Sequence, residues 1–217
     1  MSQLQRAGGF AALSEALIYI SAFIYFGGFW QYPADAGPVE KFAYLAEHQL
    51  AFSVAYFLMY VLFGILLAVL VLALHERLKL TSSASSSIAA VFGVVWVGLV
   101  IASGMISNIA LAVVLDLATN DPQQAMTIWQ TVYIIVDGIG GGNEIVGGLW
   151  VLLLSLAALR GKAISRSLSY LGLFVGSAGV LTIFPVDLFK DIFGLSQILW
   201  FAWMGVTLLK SNAGGTP

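Results

Sequence analysis

The chain has 217 residues, 60% of them apolar and only 9% charged, with a net charge of −2 and no cysteine; its mean hydropathy is +0.95. A soluble domain carries about 25% charged residues, so this chain lacks the polar side chains to cover a water-facing surface, and a disordered chain needs the opposite composition. The weak negative charge also excludes a nucleic-acid binder, and zero cysteines exclude disulfides, iron–sulfur ligation and thiolate zinc sites. An integral membrane protein remains.

Crossing a hydrocarbon core of about 30 Å takes roughly 20 apolar residues in a helix. Six stretches predict an all-α, six-helix bundle in a single membrane domain over residues 1–217: Phe10–Trp30, Ala51–Leu74, Ile88–Leu115, Ile139–Leu159, Leu168–Phe184 and Phe193–Leu209. The first is longer than a signal-peptide core and contains Glu15, so it reads as a span although Ala34-Asp35-Ala36 resembles a cleavage site. The polar joints Tyr32–Gly37, His75–Ser87, Thr119–Gln124, Arg160–Ser167 and Pro185–Asp191 read as loops, with the serine-rich run Thr81–Ser87 as a solvated linker. Two outer segments carry helical stripes behind a proline: Phe42, Leu45, Ala46 and Gln49 after Pro38, and Ala125, Met126, Trp129, Val132 and Tyr133 after Pro122. Trp30, Tyr32, Tyr44, Trp129 and Tyr133 fall near the outer boundary, where such rings anchor a protein in the interface; a lid over an outer cavity is the other account.

With the N-terminus inside, the cytoplasmic side holds Arg6, Arg77, Lys79, Arg160, Lys162, Arg166 and Lys210, and the outer side only Lys41 and Lys190. This imbalance in short loops is the positive-inside pattern, and an even number of spans returns the C-terminus to the cytoplasm.

Several chemistries lack their residues. The two histidines, His48 and His75, stand about 40 Å apart at opposite ends of one helix, so they share neither a metal nor a haem. No lysine lies within a span for a Schiff base, and no embedded base activates a serine. The run Gly138-Ile139-Gly140-Gly141-Gly142-Asn143 misses the dinucleotide-binding fingerprint, because asparagine takes the last glycine's place. The sequence therefore predicts no catalytic residue, no metal and no cofactor.

One polar constellation lies inside the membrane. Counting outward from Arg160, Glu144 sits about 24 Å from the cytoplasmic end, with Asp137 about 10 Å further out. If this stretch is helical, positions 137, 140, 141, 144, 147, 148, 151 and 155 share a face, which places Glu144 among glycines. A carboxylate buried in the membrane costs several kcal/mol and has to face the bundle interior or water. Glu144, with Asn143 and Asp137, is thus the candidate site for a cation, proton or polar solute, the glycines supplying space or unwound backbone. The competing account packs the glycines against a neighbouring helix around a protonated, hydrogen-bonded Glu144.

Glu15 is the secondary candidate. It falls about 8 Å past Phe10, in the cytoplasmic half and away from Glu144, where snorkelling toward Arg6 also accounts for it. Ser169, Gly172, Gly176 and Gly179 form a small-residue stripe in the fifth span, and Gly93, Ser103, Gly104, Ser107 and Asn108 another in the third. Trp96, Trp150, Trp200 and Trp203 read as packing residues whose indoles seek Asn108, Ser155 or Gln197.

The segments GGGNEIVGGLWVLLLSLAALR, LSYLGLFVGSAGVLTIFP and FGLSQILWFAWMGVTLL resemble a family of small bacterial membrane proteins grouped as a domain of unknown function. The resemblance covers the C-terminal third and implies six spans in a bacterial inner membrane, with no activity attached. Two functions stay open: a non-catalytic accessory or binding protein whose glycine faces dock a partner membrane subunit, and a small permease or channel with its site at Glu144. The expected partners are the lipid bilayer and a second copy or partner subunit, because six short helices enclose little interior; an intramembrane enzyme lacks its ligands and bases.

Overall fold

The computed structural model describes residues 2–141, 144–184 and 186–210, and all regular structure among them is helical. Helix α1 spans Gln3–Phe29; the Ser2 hydroxyl caps it by accepting the Gln5 N–H at 3.2 Å, and its last turn, Tyr25–Phe29, is π-helical. Helix α2, Pro38–Glu47, begins with proline at its first position behind Gly37, where the missing N–H costs nothing.

The next helical stretch, Gln49–Ala118, is 70 residues long, which as a straight rod would measure about 105 Å and overreach any bilayer. It doubles back at Ser82, the one residue with non-helical backbone (φ −150°, ψ 57°). The arms 49–81 and 83–118 are α3 and α4. They run antiparallel: Gly64 lies against Ile101 and Gly93 against Val71, and His75 Nδ1 stands 2.8 Å from Ser86 Oγ. The serine run expected as a solvated linker is therefore helix on both sides of a one-residue turn, with Ser86 buried. Its hydroxyls are not left to water: Ser82 Oγ donates to Ala157 O at 3.1 Å, and Ser86 Oγ to His75 O at 3.2 Å.

Helix α5, Pro122–Val136, is capped by Asp121, whose carboxylate accepts the Gln124 N–H at 2.9 Å. It leads into a π turn, Asp137–Gly141, and α6 resumes at Ile145 and ends at Gly161. This stretch follows α4 antiparallel along its length. Ala125 and Met126 pack with Leu111 and Val114, Gly140 lies on Leu99 and Val100, and Gly147 on Trp96. The second outer segment thus continues into the membrane helix beside α4. Helices α7 (Arg166–Leu181) and α8 (Asp187–Lys210) complete the chain.

Four stretches are long and apolar enough to cross a membrane: Gln3–Phe29, Gln49–Ala118, Pro122–Gly161 and Asp187–Lys210. Outward faces are greasy throughout, with Leu17, Ile65, Val95, Ile109, Phe174 and Leu199 exposed, as a lipid-facing surface requires. Each helix runs past the stretch read from hydropathy at one or both ends; α1 starts seven residues before Phe10, whereas α7 ends at Leu181, three residues short of Phe184.

Glycine lets the backbones approach where the core is tightest. A Cβ on Gly148 would stand 2.6 Å from Val180 N and 2.8 Å from Gly176 O, and one on Gly176 2.6 Å from Leu152 N, so α6 and α7 meet backbone to backbone. Tryptophan rings rest on the other glycines, Trp96 on Gly147 and Trp150 on Gly93. An aromatic chain links the helices: Tyr19–Phe63 at 5.6 Å, Phe63–Trp96 at 5.7 Å, Trp96–Trp150 at 5.7 Å and Trp150–Trp200 at 5.6 Å between ring centroids. The indole partners expected from the sequence do not close. Trp200 Nε1 and Ser155 Oγ converge over Gly172, but neither they, Trp150 Nε1 nor the Gln197 amide makes a hydrogen bond, while Asn108 donates instead to Gly104 O.

The two ends of the bundle differ. Gly8 meets Ala73 and Leu208, Gly161 meets Thr81, and the Arg77 guanidinium donates to Ala163 O at 3.2 and 3.1 Å. These contacts gather Arg6, Arg77, Lys79, Arg160, Lys162, Arg166 and Lys210 at one end. At the other, α2 and the ends of α3, α4 and α5 build a cap around Phe42, Leu45, Phe52 and Leu111. Trp30 stacks on Tyr32 with an interplanar angle of 5°, Tyr44 on His48 at 4.1 Å and Phe52 on Tyr56 at 4.1 Å. Burial in this cap pushes the Tyr32 phenol above its ordinary value.

Candidate functional site

Three π turns occur among the described residues, and all adjoin one region: Tyr25–Phe29 of α1, Phe57–Leu62 of α3 and Asp137–Gly141 between α5 and α6. A π turn carries one residue more than an α turn and is characteristic of functional positions. In the third turn Gly140 has φ +142°, a backbone that side-chain-bearing residues rarely adopt. The face arithmetic that aligned Asp137, Gly140, Gly141 and Glu144 on one continuous helix therefore fails, because the helix is broken there.

Glu144 is the residue before α6. Its N–H donates to Thr182 Oγ1 at 2.8 Å, that hydroxyl donates to Gly179 O at 2.7 Å, and the Glu144 carbonyl accepts the Gly148 N–H at 2.7 Å. The end of α7 thus pins the start of α6 and sets the carboxylate at a helix N-terminus, where the dipole favours negative charge. The side chain opens onto a cavity of about 130 Å³ whose walls include Tyr19 of α1, Tyr60 and Phe63 of α3, Trp96 and Val100 of α4, and Gly140. The Trp96 indole is turned toward the carboxylate without closing a hydrogen bond, and Glu144 Oε2 is buried with no partner. The glycines beyond it serve other contacts, so Glu144 is not sealed against a small-residue face.

Glu15 is fully buried, and both its oxygens lack a hydrogen-bond partner. Glu15 does not line the Glu144 cavity, but Tyr19, one turn beyond it, lies within electrostatic reach of both carboxylates. Snorkelling to Arg6 is absent, because the side chain is inside the bundle.

Asp137 occupies a neighbouring pocket of about 40 Å³ with Tyr56, Ser107, Trp129 and Tyr133. Its carboxylate faces Lys190 Nζ at 3.4 Å. Tyr60 lines both this pocket and the Glu144 cavity and is within electrostatic reach of both acids. Asn143, the remaining sequence candidate, lies outside the described residues. The result is a series of acids and phenols running inward from the capped end of the bundle: Asp137, Tyr60, Glu144, Tyr19, Glu15.

Sequence reasoning missed Tyr19 and Tyr60, and it read Trp96 as a packing residue with an indole partner among Asn108, Ser155 or Gln197 rather than as a wall of the Glu144 cavity. The available signal was depth: phenols favour the membrane boundary, yet these two sit well inside their helices, where a hydroxyl needs a polar neighbour.

No family model, no curated protein sequence and no solved structure matches the chain.

Proposed function

We propose that the chain is a small permease or channel of a bacterial inner membrane, with a proton or small-cation site at Glu144. The proposed topology has six crossings, made by α1, α3, α4, α5–α6, α7 and α8, with both termini cytoplasmic. The basic residues gathered at one end support that orientation. The observation that carries the reading is the Glu144 carboxylate, which opens onto a cavity walled by Tyr19, Tyr60 and Trp96 and keeps one oxygen without a partner. Ionisable groups at this depth mark ion and proton pathways, and a series of carboxylates and phenols supplies exchangeable protons at successive positions.

A non-catalytic accessory role, with glycine faces left to dock a partner subunit, has less support. The glycine seams are occupied by the chain's own helices: Gly148 by α7, Gly205 by α1, and Gly64 and Gly104 by the facing arm of the α3–α4 hairpin. The test is flux through protein reconstituted in liposomes, read with an internal pH-sensitive dye and with dyes for sodium and potassium. The wild type should exceed empty liposomes, and Glu144→Gln should lose at least 90% of the excess while reconstituting equally well. Flux equal in Glu144→Gln and wild type, or no flux above empty liposomes for any of these ions, refutes the proposal.

A further inference from the structure

The Glu144 cavity has a larger neighbour. Between α1 and α3 runs a groove of about 440 Å³ lined by Leu17, Ser21, Tyr25, Ala51, Ala55 and Leu58 among others. Ile18, Ala22 and Met59 line both the groove and the Glu144 cavity, so the two adjoin along one wall. Leu17, Val54 and Leu58 are exposed, which turns the groove toward lipid. Along α1 it extends from Leu17 to Phe26, roughly 13 Å of helix. The 40 Å³ pocket of Asp137, beside the Lys190 ion pair, shares only Tyr60 with the Glu144 cavity.

We propose that cavity and groove together form one binding site for a cationic amphiphile, an alkylammonium that enters from the membrane. This rests on the reading of Glu144 as a cation site and names its ligand class. The head group lies against Glu144 between Tyr19, Tyr60, Phe63 and Trp96, whose ring faces attract an ammonium as an aromatic cage does. The alkyl tail lies along Ala22, Ala55 and Leu58. Charge complementarity selects the occupant: the Glu144 carboxyl, with one oxygen left without a partner, gains from a cationic head and offers an anionic one no donor, and the apolar groove gives a small hydrophilic cation nothing to hold by its length. The π turns Tyr25–Phe29 and Phe57–Leu62 flank the groove on either side.

Binding is measured by isothermal titration of the full chain in lipid nanodiscs, with empty nanodiscs subtracted, using tetramethylammonium, butyltrimethylammonium, octyltrimethylammonium and octyl sulfate. Affinity should rise at least a hundredfold from the tetramethyl to the octyl cation, since each buried methylene contributes about fourfold, and octyl sulfate should not bind. Ala55→Phe, and independently Ser21→Leu, should cut the octyl gain below tenfold while leaving tetramethylammonium within twofold. Glu144→Gln should weaken every cation at least tenfold. The proposal is overturned by equal affinity for all chain lengths, by an octyl gain that both groove variants leave intact, or by equal binding of octyl sulfate. Tetramethylammonium binding that needs Glu144 but shows no gain with chain length would sink this inference and leave the cation site standing. Glu144-dependent ion flux with no ammonium binding would do the same.

Discussion

Gly148→Ala and Gly98→Ala make the same chemical change with opposite expected sign. At Gly148 the new methyl would stand 2.6 Å from Val180 N, 2.7 Å from Gly179 C and 2.8 Å from Gly176 O, whereas at Gly98 nothing lies within 4 Å. Ordinary contact begins at 3.4 Å, so α7 has to retreat from α6 by about 0.8 Å, the difference between 3.4 and 2.6 Å. The clashing atoms belong to the backbone and cannot rotate aside. Overpacking of this kind costs about 1–3 kcal/mol. Helix propensity favours alanine over glycine by up to about 1 kcal/mol at either position and cancels when the two variants are compared. Unfolding of the purified protein in mixed micelles, followed by tryptophan fluorescence against denaturing detergent, should therefore place Gly148→Ala about 1–3 kcal/mol below Gly98→Ala. Gly98→Ala itself should match or exceed the wild type. Two variants within about 0.5 kcal/mol of each other would show that α6 and α7 do not meet backbone to backbone, and the geometry at Thr182 and Glu144 would fall with that contact.

Two further substitutions test the supports of the site. Thr182→Val keeps the shape but removes the acceptor of the Glu144 N–H; leaving that group buried and unmatched should cost about 1–3 kcal/mol, read in the same titration, and lower flux without abolishing it. Asp137→Asn breaks an ion pair whose side chains are 36% and 32% exposed, so stability should change by less than about 1 kcal/mol. A larger loss in the melting profile would make the pair structural.

The helical membrane class and the importance of Glu144 were legible because both follow from transfer free energy: long apolar runs need lipid, and a carboxylate within one needs a partner. The local signals at Gly37-Pro38 and at Asp121-Pro122 also mark where helices α2 and α5 start. Depth was not legible. Hydropathy places a helix boundary where polarity changes, but α1 extends through Gln3–Gly9 because its start packs on α3 and α8 through Gly8 and Gly9, and Glu15 is buried inside the bundle. The serine run misled for a related reason. Serine is a loop residue only where its hydroxyl competes for backbone, and here Ser82 finds a carbonyl on α6 and Ser86 one across the hairpin. The meeting of Tyr19, Tyr60 and Trp96 from three helices left no local trace at all, since residues so far apart converge only through tertiary packing.

The π turn Phe57–Leu62 also decides which way the far part of α3 looks. It adds one residue to a regular winding, so the α-helical segments on its two sides, Gln49–Tyr56 and the one from Phe63 onward, are about 100° out of phase. Tyr56 stands before the turn and Tyr60 within it, and both line the pocket of Asp137. Removing a single position from the turn would rewind α3 into one phase and swing its outer aromatic residues away from α4, while the inner arm down to Ser82 kept its packing. In this protein one residue of helix acts as a rotational offset, holding the bundle at the basic end and the aromatic cap in orientations that a uniform winding could not satisfy together.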